Sequence, residues 1–294
     1  MEKNGRAPSV NGLIECLAPQ RQTMAAVFAS PHSGALYTDE FVASSRLDPV
    51  ALRRSEDSFV DEIFAAAPVR GAPLLRAHFP RVYVDPNREP YELDPTMFED
   101  GLPDYVNTTS PRVAAGLGTV ARVVANGEEI YARKLSFAEV ERRIQSCYRP
   151  YHAALKDLIE RTRDRFGICI LIDCHSMPSI GGPMDRDHGL KRVDFVLGDC
   201  HGTSCSPLLT RTIERHLARL GYVVTRNLPY AGGFVSRHYG RPQAGIHALQ
   251  IEVNRTLYMD EERIERRPRL PRVADQMAGL IAVIGAIAPQ DLAA

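Results

Sequence analysis

The chain has no tryptophan, few aromatic residues (7%) and no excess of charge of either sign. Lysine plus arginine and aspartate plus glutamate both number 36, so the formal net charge is zero. Without a basic excess there is no global field to draw nucleic acid or an anionic membrane, and neither is an expected partner. No apolar run is long enough to span a bilayer, and "MEKNGRAPSVNGLIECLAPQ" lacks the apolar centre of a signal peptide. A cytoplasmic location is therefore expected. Cysteine is sparse: Cys16, Cys147, Cys169, Cys174, Cys200 and Cys205 do not make a disulfide scaffold, and "CHGTSC" at 200–205 has no second pair at zinc-finger spacing. These thiols are expected to be reduced and mostly structural. Internal repeats are absent too, as is any break in composition that would divide domains.

What remains is ordinary for a soluble enzyme with a substantial core: 294 residues, 44% hydrophobic and 24% charged. Residues 1–22 read as a polar arm, and 23–290 as one catalytic domain. "TMAAVFASPHSG" gives a buried strand over Ala25–Ala29, stopped by Ser-Pro-His-Ser-Gly. "EDSFVDEIFAAA" carries Phe59, Ile63 and Phe64 at helical spacing. A second strand is expected at Arg81–Val84, then a Pro- and Gly-rich excursion over 90–127 that covers one end of the sheet. "GTVARVVANGEEIYAR" suggests a hairpin over Asn126-Gly127. A long helix follows, opened by a capping box of Ser136 and Glu139, kinked or split at Pro150 and stopped at Gly167. "ICILIDCHS" is a strand buried on both faces. "SPLLTRTIERHLARLG" is a helix with Ser206 as cap and Pro207 at its first position. Strands at "YVVTRN" and "HALQIEVNR" and a closing helix "PRVADQMAGLIAVIGAIA" complete the chain. Alternating strands and helices predict an α/β fold: a single domain with a mixed, mostly parallel central sheet flanked by helices.

Three of these strands carry polar chemistry: His32 after the first, Asp173-Cys174-His175 at the end of the central "ICILIDCHS" strand, and Glu252 within the last. Polar residues at strand ends are usually only loop. In open α/β sheets, however, ligands bind at the carboxyl ends of strands. A catalytic zinc takes three protein ligands and leaves one position open. His32 and His175 fit two of these places. The third falls to an acid among Glu56, Asp57, Asp61 and Glu62, of which Asp61 is favoured because it interrupts the apolar face between Val60 and Ile63. The others serve equally as a helix-dipole first turn. Asp173 either orients His175 from behind or caps the loop. Glu252 lies between Ile251 and Val253, where an unpaired carboxylate costs several kcal/mol. It reads as a general base, or as a salt bridge to Arg255. In "DPNREP", Asn87 and Arg88 offer an amide and a planar fork suited to a carboxylate.

Together, "SPHSG", "SFVDEIF", "RVYVDPNREP", "YRPYHAAL", "DCHSMPS", "GGFVSRHYGRP" and "GIHALQIEVNRTLYMDE" resemble the N-formylglutamate amidohydrolase family, in that family's order, over about residues 27–262. The family is akin to zinc carboxypeptidases and aspartoacylase-type deacylases. The resemblance thus implies a phosphorylase/hydrolase-like, zinc carboxypeptidase-like fold and a Zn2+ cofactor. Those relatives carry H-x-x-E before a second histidine, but the third residue after His32 is Ala35, which moves the third ligand to Asp61. By the same resemblance His32 and His175 are the zinc histidines, and Glu252 is the catalytic glutamate. Arg81 polarises the scissile carbonyl, while Asn87, Arg88, His238 and Arg255 belong to the substrate. The implied reaction cleaves a small acidic N-acyl amino acid, N-formyl-L-glutamate above all, to formate and glutamate. Another N-acyl amino acid or a short peptide is the alternative substrate. A metal-free acyl-amino-acid or peptidoglycan-fragment binding protein is the non-enzymatic alternative, which loss of His32, His175 or Glu252 would favour; all three are present. No oligomeric state is implied.

Overall fold

The computed structural model describes residues 12–183 and 185–292. Seven strands form one sheet: β1 (Ile14–Leu17), β2 (Ala26–Ser30), β3 (Leu74–Ala77), β4 (Cys169–Met177), β5 (Phe195–Gly198), β6 (Val224–Arg226) and β7 (Ile246–Asn254). Their order is β1-β3-β2-β4-β7-β5-β6. The β3–β2–β4–β7 run is parallel throughout, β5 joins β7 antiparallel, and β1 joins β3 antiparallel. The sheet is thus mixed and mostly parallel with helices on both faces, as the sequence predicts.

Side chains alternate across a strand, and the core divides accordingly. Val27, Ala29 and Leu171 face the helices over 137–166 and the 90–127 excursion. Ala26, Phe28, Ile170 and Ile172 face the helices Pro207–Arg219 and Leu270–Gly285. Every residue of β4 and β7 is buried, which accounts for the apolar run that opens β4.

Several expectations are corrected. The strand expected at Arg81–Val84 is a turn, because the Pro80 carbonyl accepts from the amides of Tyr83 (3.0 Å) and Val84 (3.3 Å); the strand lies upstream at β3. Of the polar arm, residues 1–11 lie outside the described residues, while Ile14–Leu17 adds to the sheet as an edge strand. The 56–67 segment holds only one helical turn, Val60–Ile63, entered through Phe59 in a left-handed conformation (φ 67°). The hairpin over Asn126-Gly127 reduces to one antiparallel bridge, Val123 with Glu129. β5 was not anticipated. Among the described residues all the cysteines are free, and no helix is long and apolar enough to cross a membrane.

The long helix forms as its caps dictate. Ser136 and Glu139 make the reciprocal capping box, and Gly167 ends the helix at φ 80°. Pro150 has no N–H to give to the preceding turn. The chain relaxes there into a π-helical segment, Ile144–Tyr148, before the α-helix resumes at Arg149. Such segments gather at functional sites. Here the π segment brings the Tyr148 hydroxyl to the Arg88 carbonyl (2.7 Å). Replacing Ser136 by alanine should lower stability by about 1 kcal/mol, the usual value of an N-cap. Urea denaturation measures this, and an unchanged midpoint would show that packing alone fixes the helix start.

Candidate metal centre and active-site cavity

β2, β4 and β7 run in the same direction, so their carboxyl ends share one edge of the sheet. His32 follows β2 directly. His175 lies near the end of β4, and its cross-strand partner on β7 is Glu252. Asp57 reaches the same point from the loop before the short helix. Its amide donates to the His32 carbonyl (3.0 Å), so the two loops are tied together by backbone.

The side chains of His32, Asp57 and His175 converge and are buried. His32 Nδ1 lies 3.3 Å from Asp57 Oδ2, His175 Nδ1 lies 3.0 Å from the same oxygen, and the two Nδ1 atoms are 3.1 Å apart. Each imidazole turns its other nitrogen to a buried carboxylate: His32 Nε2 to Asp85 (2.7 Å) and His175 Nε2 to Asp173 (2.8 Å). Assigning the ring hydrogens to those carboxylates leaves both Nδ1 lone pairs and one carboxylate oxygen aimed at a common point. Carboxylate–histidine pairs of this kind orient metal ligands. Tetrahedral coordination with bonds of ~2.0–2.1 Å has ligand–ligand edges of ~3.3 Å. The three separations observed here are close to that, so these residues fit a metal ion.

The surroundings favour positive charge at that point. Burial opposes charge on His175, yet Asp173 and Asp57 raise its pKa well above the ordinary value. Burial likewise works against the Asp57 anion, but hydrogen bonding to His175 and His32 keeps its pKa well below the usual range. Arg255 holds the outer oxygen of Asp57 (3.2 Å) and also binds Ser176 Oγ and the Arg54 carbonyl.

A cavity of about 340 Å³ opens beside this centre, lined among others by His32, His175, Glu252, Arg81, Asn87, Arg88 and Arg255. Glu252 is buried, and Gln250 Nε2 donates to its Oε1 (2.7 Å). Burial raises its pKa to about 7, with His175 opposing the rise and Asp57 adding to it. The alternative of a salt bridge to Arg255 is corrected, since that guanidinium is spent on Asp57. Arg81 binds Asp85 Oδ2 (2.8 Å) and faces the cavity.

The structure does not bring Asp61 to the histidines, which corrects the favoured third ligand. Its carboxylate pairs with Arg76 (2.8 Å) on β3. Glu56 is bound by Arg53 (3.0 Å), and Glu62 by Arg266. Of the four acids considered, Asp57 alone meets both rings. His238 is also corrected: it is exposed, stacks on Phe234 (ring centres 4.8 Å apart) and is not among the cavity-lining residues.

Asn87 lines the cavity, but its amide is committed. Oδ1 accepts from the Val235 amide (2.8 Å) and Nδ2 donates to Asp173 Oδ2 (3.2 Å), so it steadies the carboxylate behind His175. Among the described residues Arg88 donates to the carbonyls of Leu117 and Asn87, both at 2.9 Å.

Two site residues escaped the sequence reading. Asp85, behind His32, sits in Asp-Pro-Asn, where an aspartate reads as turn chemistry, and it does accept from the Asn87 amide (2.8 Å). His152 on the long helix bonds the Pro86 carbonyl and the Tyr239 hydroxyl (both 2.9 Å), locking that turn from behind. Burial lowers its pKa to about 4, so it stays neutral. Its place within "YRPYHAAL" was the available signal.

The N-formylglutamate amidohydrolase family model matches residues 24–259. The N-formylglutamate deformylase of Pseudomonas putida is 29% identical over 239 residues, 80% of this chain and 82% of that protein. That of Pseudomonas aeruginosa is 29% identical over 251 residues, covering 84% and 87%. The crystal structure of N-formylglutamate amidohydrolase from Ralstonia eutropha JMP134 superposes with a TM-score of 0.84 at 37% identity, covering 93% of this chain and 97% of that one.

The exchange of Asp61 for Asp57 is directly testable by elemental analysis. Protein purified without chelator should carry about one metal ion per chain. His175→Ala and Asp57→Asn should lose it. Asp61→Asn should keep it and lose no more than about 1 kcal/mol of stability with the Arg76 pair. Metal loss in Asp61→Asn with retention in Asp57→Asn would reverse the assignment.

Proposed function

This chain belongs to the N-formylglutamate amidohydrolase family, and from that premise we propose that it is a zinc-dependent amidohydrolase converting N-formyl-L-glutamate to formate and glutamate. One observation carries the reading: the two histidines of a carboxylate-backed His-Asp-His cluster line one small cavity together with a buried glutamate and several arginines. His32, His175 and Asp57 would hold the zinc, which when bound would supply Lewis acidity toward the scissile carbonyl and the attacking water.

The chain's own residues do the rest. Gln250 fixes Oε1 of Glu252, which leaves Oε2 to take a proton from the attacking water. As the C–N bond breaks, Glu252 returns that proton to the departing amine. A base with a pKa near 7 can do both at neutral pH, and burial sets Glu252 there. Arg81, anchored by Asp85, places a fixed positive charge where the carbonyl oxygen becomes anionic. Arg88 orients the substrate through a carboxylate, which turns binding remote from the reacting bond into alignment. Asp85 and Asp173 accept from Nε2 of the two imidazoles and so hold them in the tautomer whose Nδ1 lone pairs would be free for a metal ion.

Another N-acyl amino acid remains the second reading within the same chemistry. A volume of about 340 Å³ is at the lower end for ligand sites, which favours a small acyl amino acid over a peptide.

Glu252→Gln keeps shape and hydrogen bonding but removes the proton acceptor. The variant should fold, keep its metal and lose ~100–10,000-fold in kcat for formate release from N-formylglutamate. A metal-loaded variant with near wild-type turnover would refute the base assignment. Failure of the wild-type protein to release formate would refute the substrate.

A further inference from the structure

Five arginines line the cavity: Arg81, Arg88, Arg112, Arg237 and Arg255. They fall into two classes. Arg81 is paired with Asp85 and Arg255 with Asp57, so both belong to the floor of the site. The other three have no carboxylate partner among the described residues. Arg88 donates to two backbone carbonyls, Arg237 donates to the Gly232 carbonyl (3.1 Å), and Arg112 lies exposed on the helix Pro111–Ala114. The acids facing the cavity do not offset them. Asp185 is taken by Arg192 (2.7 Å), Asp85 by Arg81 and His32, and Glu252, on the floor beside His175, accepts from Gln250 (2.7 Å).

Holding these guanidiniums about one cavity has a cost. Burial, with repulsion from Arg112 and Arg81 working against attraction to Asp85, brings the Arg88 pKa down to about 10. Arg88 therefore stays charged at neutral pH, and an anion in the cavity relieves the repulsion. The three charges come from different elements. Arg88 follows the Asp85 turn with Arg112 nearby. Arg237 projects from the helix Phe234–Tyr239 onto the Gly232-Gly233 strip. That strip leads to the general base, because the Gly233 amide donates to Gln250 (2.7 Å) and Gln250 donates to Glu252. Its backbone is packed too closely for any side chain: a Cβ on Gly233 would lie 2.3 Å from the Asn87 amide. Arg237 is thus the first charged group available along this wall.

We propose that Arg237 is a specificity-determining residue that reads a second carboxylate of the substrate, while Arg88, with Arg112 beside it, reads the first. This rests on the amidohydrolase reading and deepens it: the cavity selects dicarboxylic N-acyl amino acids over those with neutral side chains. Arg237 is exposed, so its replacement leaves the fold intact.

The test uses glutamate and glutamine as unreactive probes of the metal-loaded protein, with affinities from calorimetry. A hydrogen-bonded charge typically contributes enough for a preference of about 10–100-fold, so the wild-type protein should favour glutamate by that factor. Arg237→Ala should bring glutamate to within about threefold of glutamine, and Arg237→Lys should restore part of the preference. Arg88→Ala should weaken both probes, since both carry an α-carboxylate. A wild-type protein that binds neither probe or does not distinguish them overturns the proposal. So does an Arg237→Ala variant that keeps the preference, or one that weakens both probes alike. Formate release is scored separately. Selectivity lost in Arg237→Ala without any formate release by the wild type overturns the reaction and leaves the subsite; formate release with selectivity retained overturns only the subsite.

Discussion

Two imidazole nitrogens and one carboxylate oxygen, all buried and all presenting lone pairs to one point, constrain everything around them. Such a cluster is unstable unless positive charge sits among its members, and it keeps its shape only if each ring is fixed from behind. Asp85 and Asp173 do the fixing. Each in turn must be held, by Arg81 and by Asn87, and Arg255 holds the far oxygen of Asp57. Buried charge on this scale costs several kcal/mol per unpaired ion, which is why nearly every carboxylate here has an arginine, amide or imidazole partner.

The fold supplies this constraint at little local cost. Adjacent parallel strands place His175 opposite Glu252 in register, which brings the proposed metal ligand and the proposed general base to the same sheet edge without help from a loop. Loops bring only His32 and Asp57, and a backbone hydrogen bond joins them. The long helix braces the Asp85–Arg88 turn through Tyr148 and His152. The π-helical break at Pro150 thus connects a local rule, a missing N–H, to the placement of an arginine in the cavity.

The α/β class and the main helices were legible because their signals are local: apolar runs at 26–30 and 169–177, a capping box at 136, Pro after Ser at 206 and Gly at 167. His32, His175 and Glu252 were legible because a polar side chain stands out at the end of an apolar strand. Asp57 was hidden by an assumption about helix length. Extending helical periodicity back to residue 56 put all four acids on one element and made Asp61 the odd one. The chain in fact turns at Phe59, so Asp57 is free to point inward while Asp61 faces Arg76. Asp85 was hidden because turn-forming and ring-orienting aspartates look the same in sequence, and here one residue does both. The Arg81–Val84 strand failed through the proline at position 80, whose carbonyl closes a turn.

The central claim is that His32, His175 and Asp57 hold one metal ion through Nδ1, Nδ1 and Oδ2. Anomalous diffraction from crystals of the zinc-loaded protein, recorded on both sides of the zinc absorption edge, tests it most directly. The account predicts one strong peak per chain within ~2.0–2.2 Å of those three atoms. A peak coordinated by Asp61 or by cysteine sulfur, or no peak in a protein that still releases formate, would contradict it.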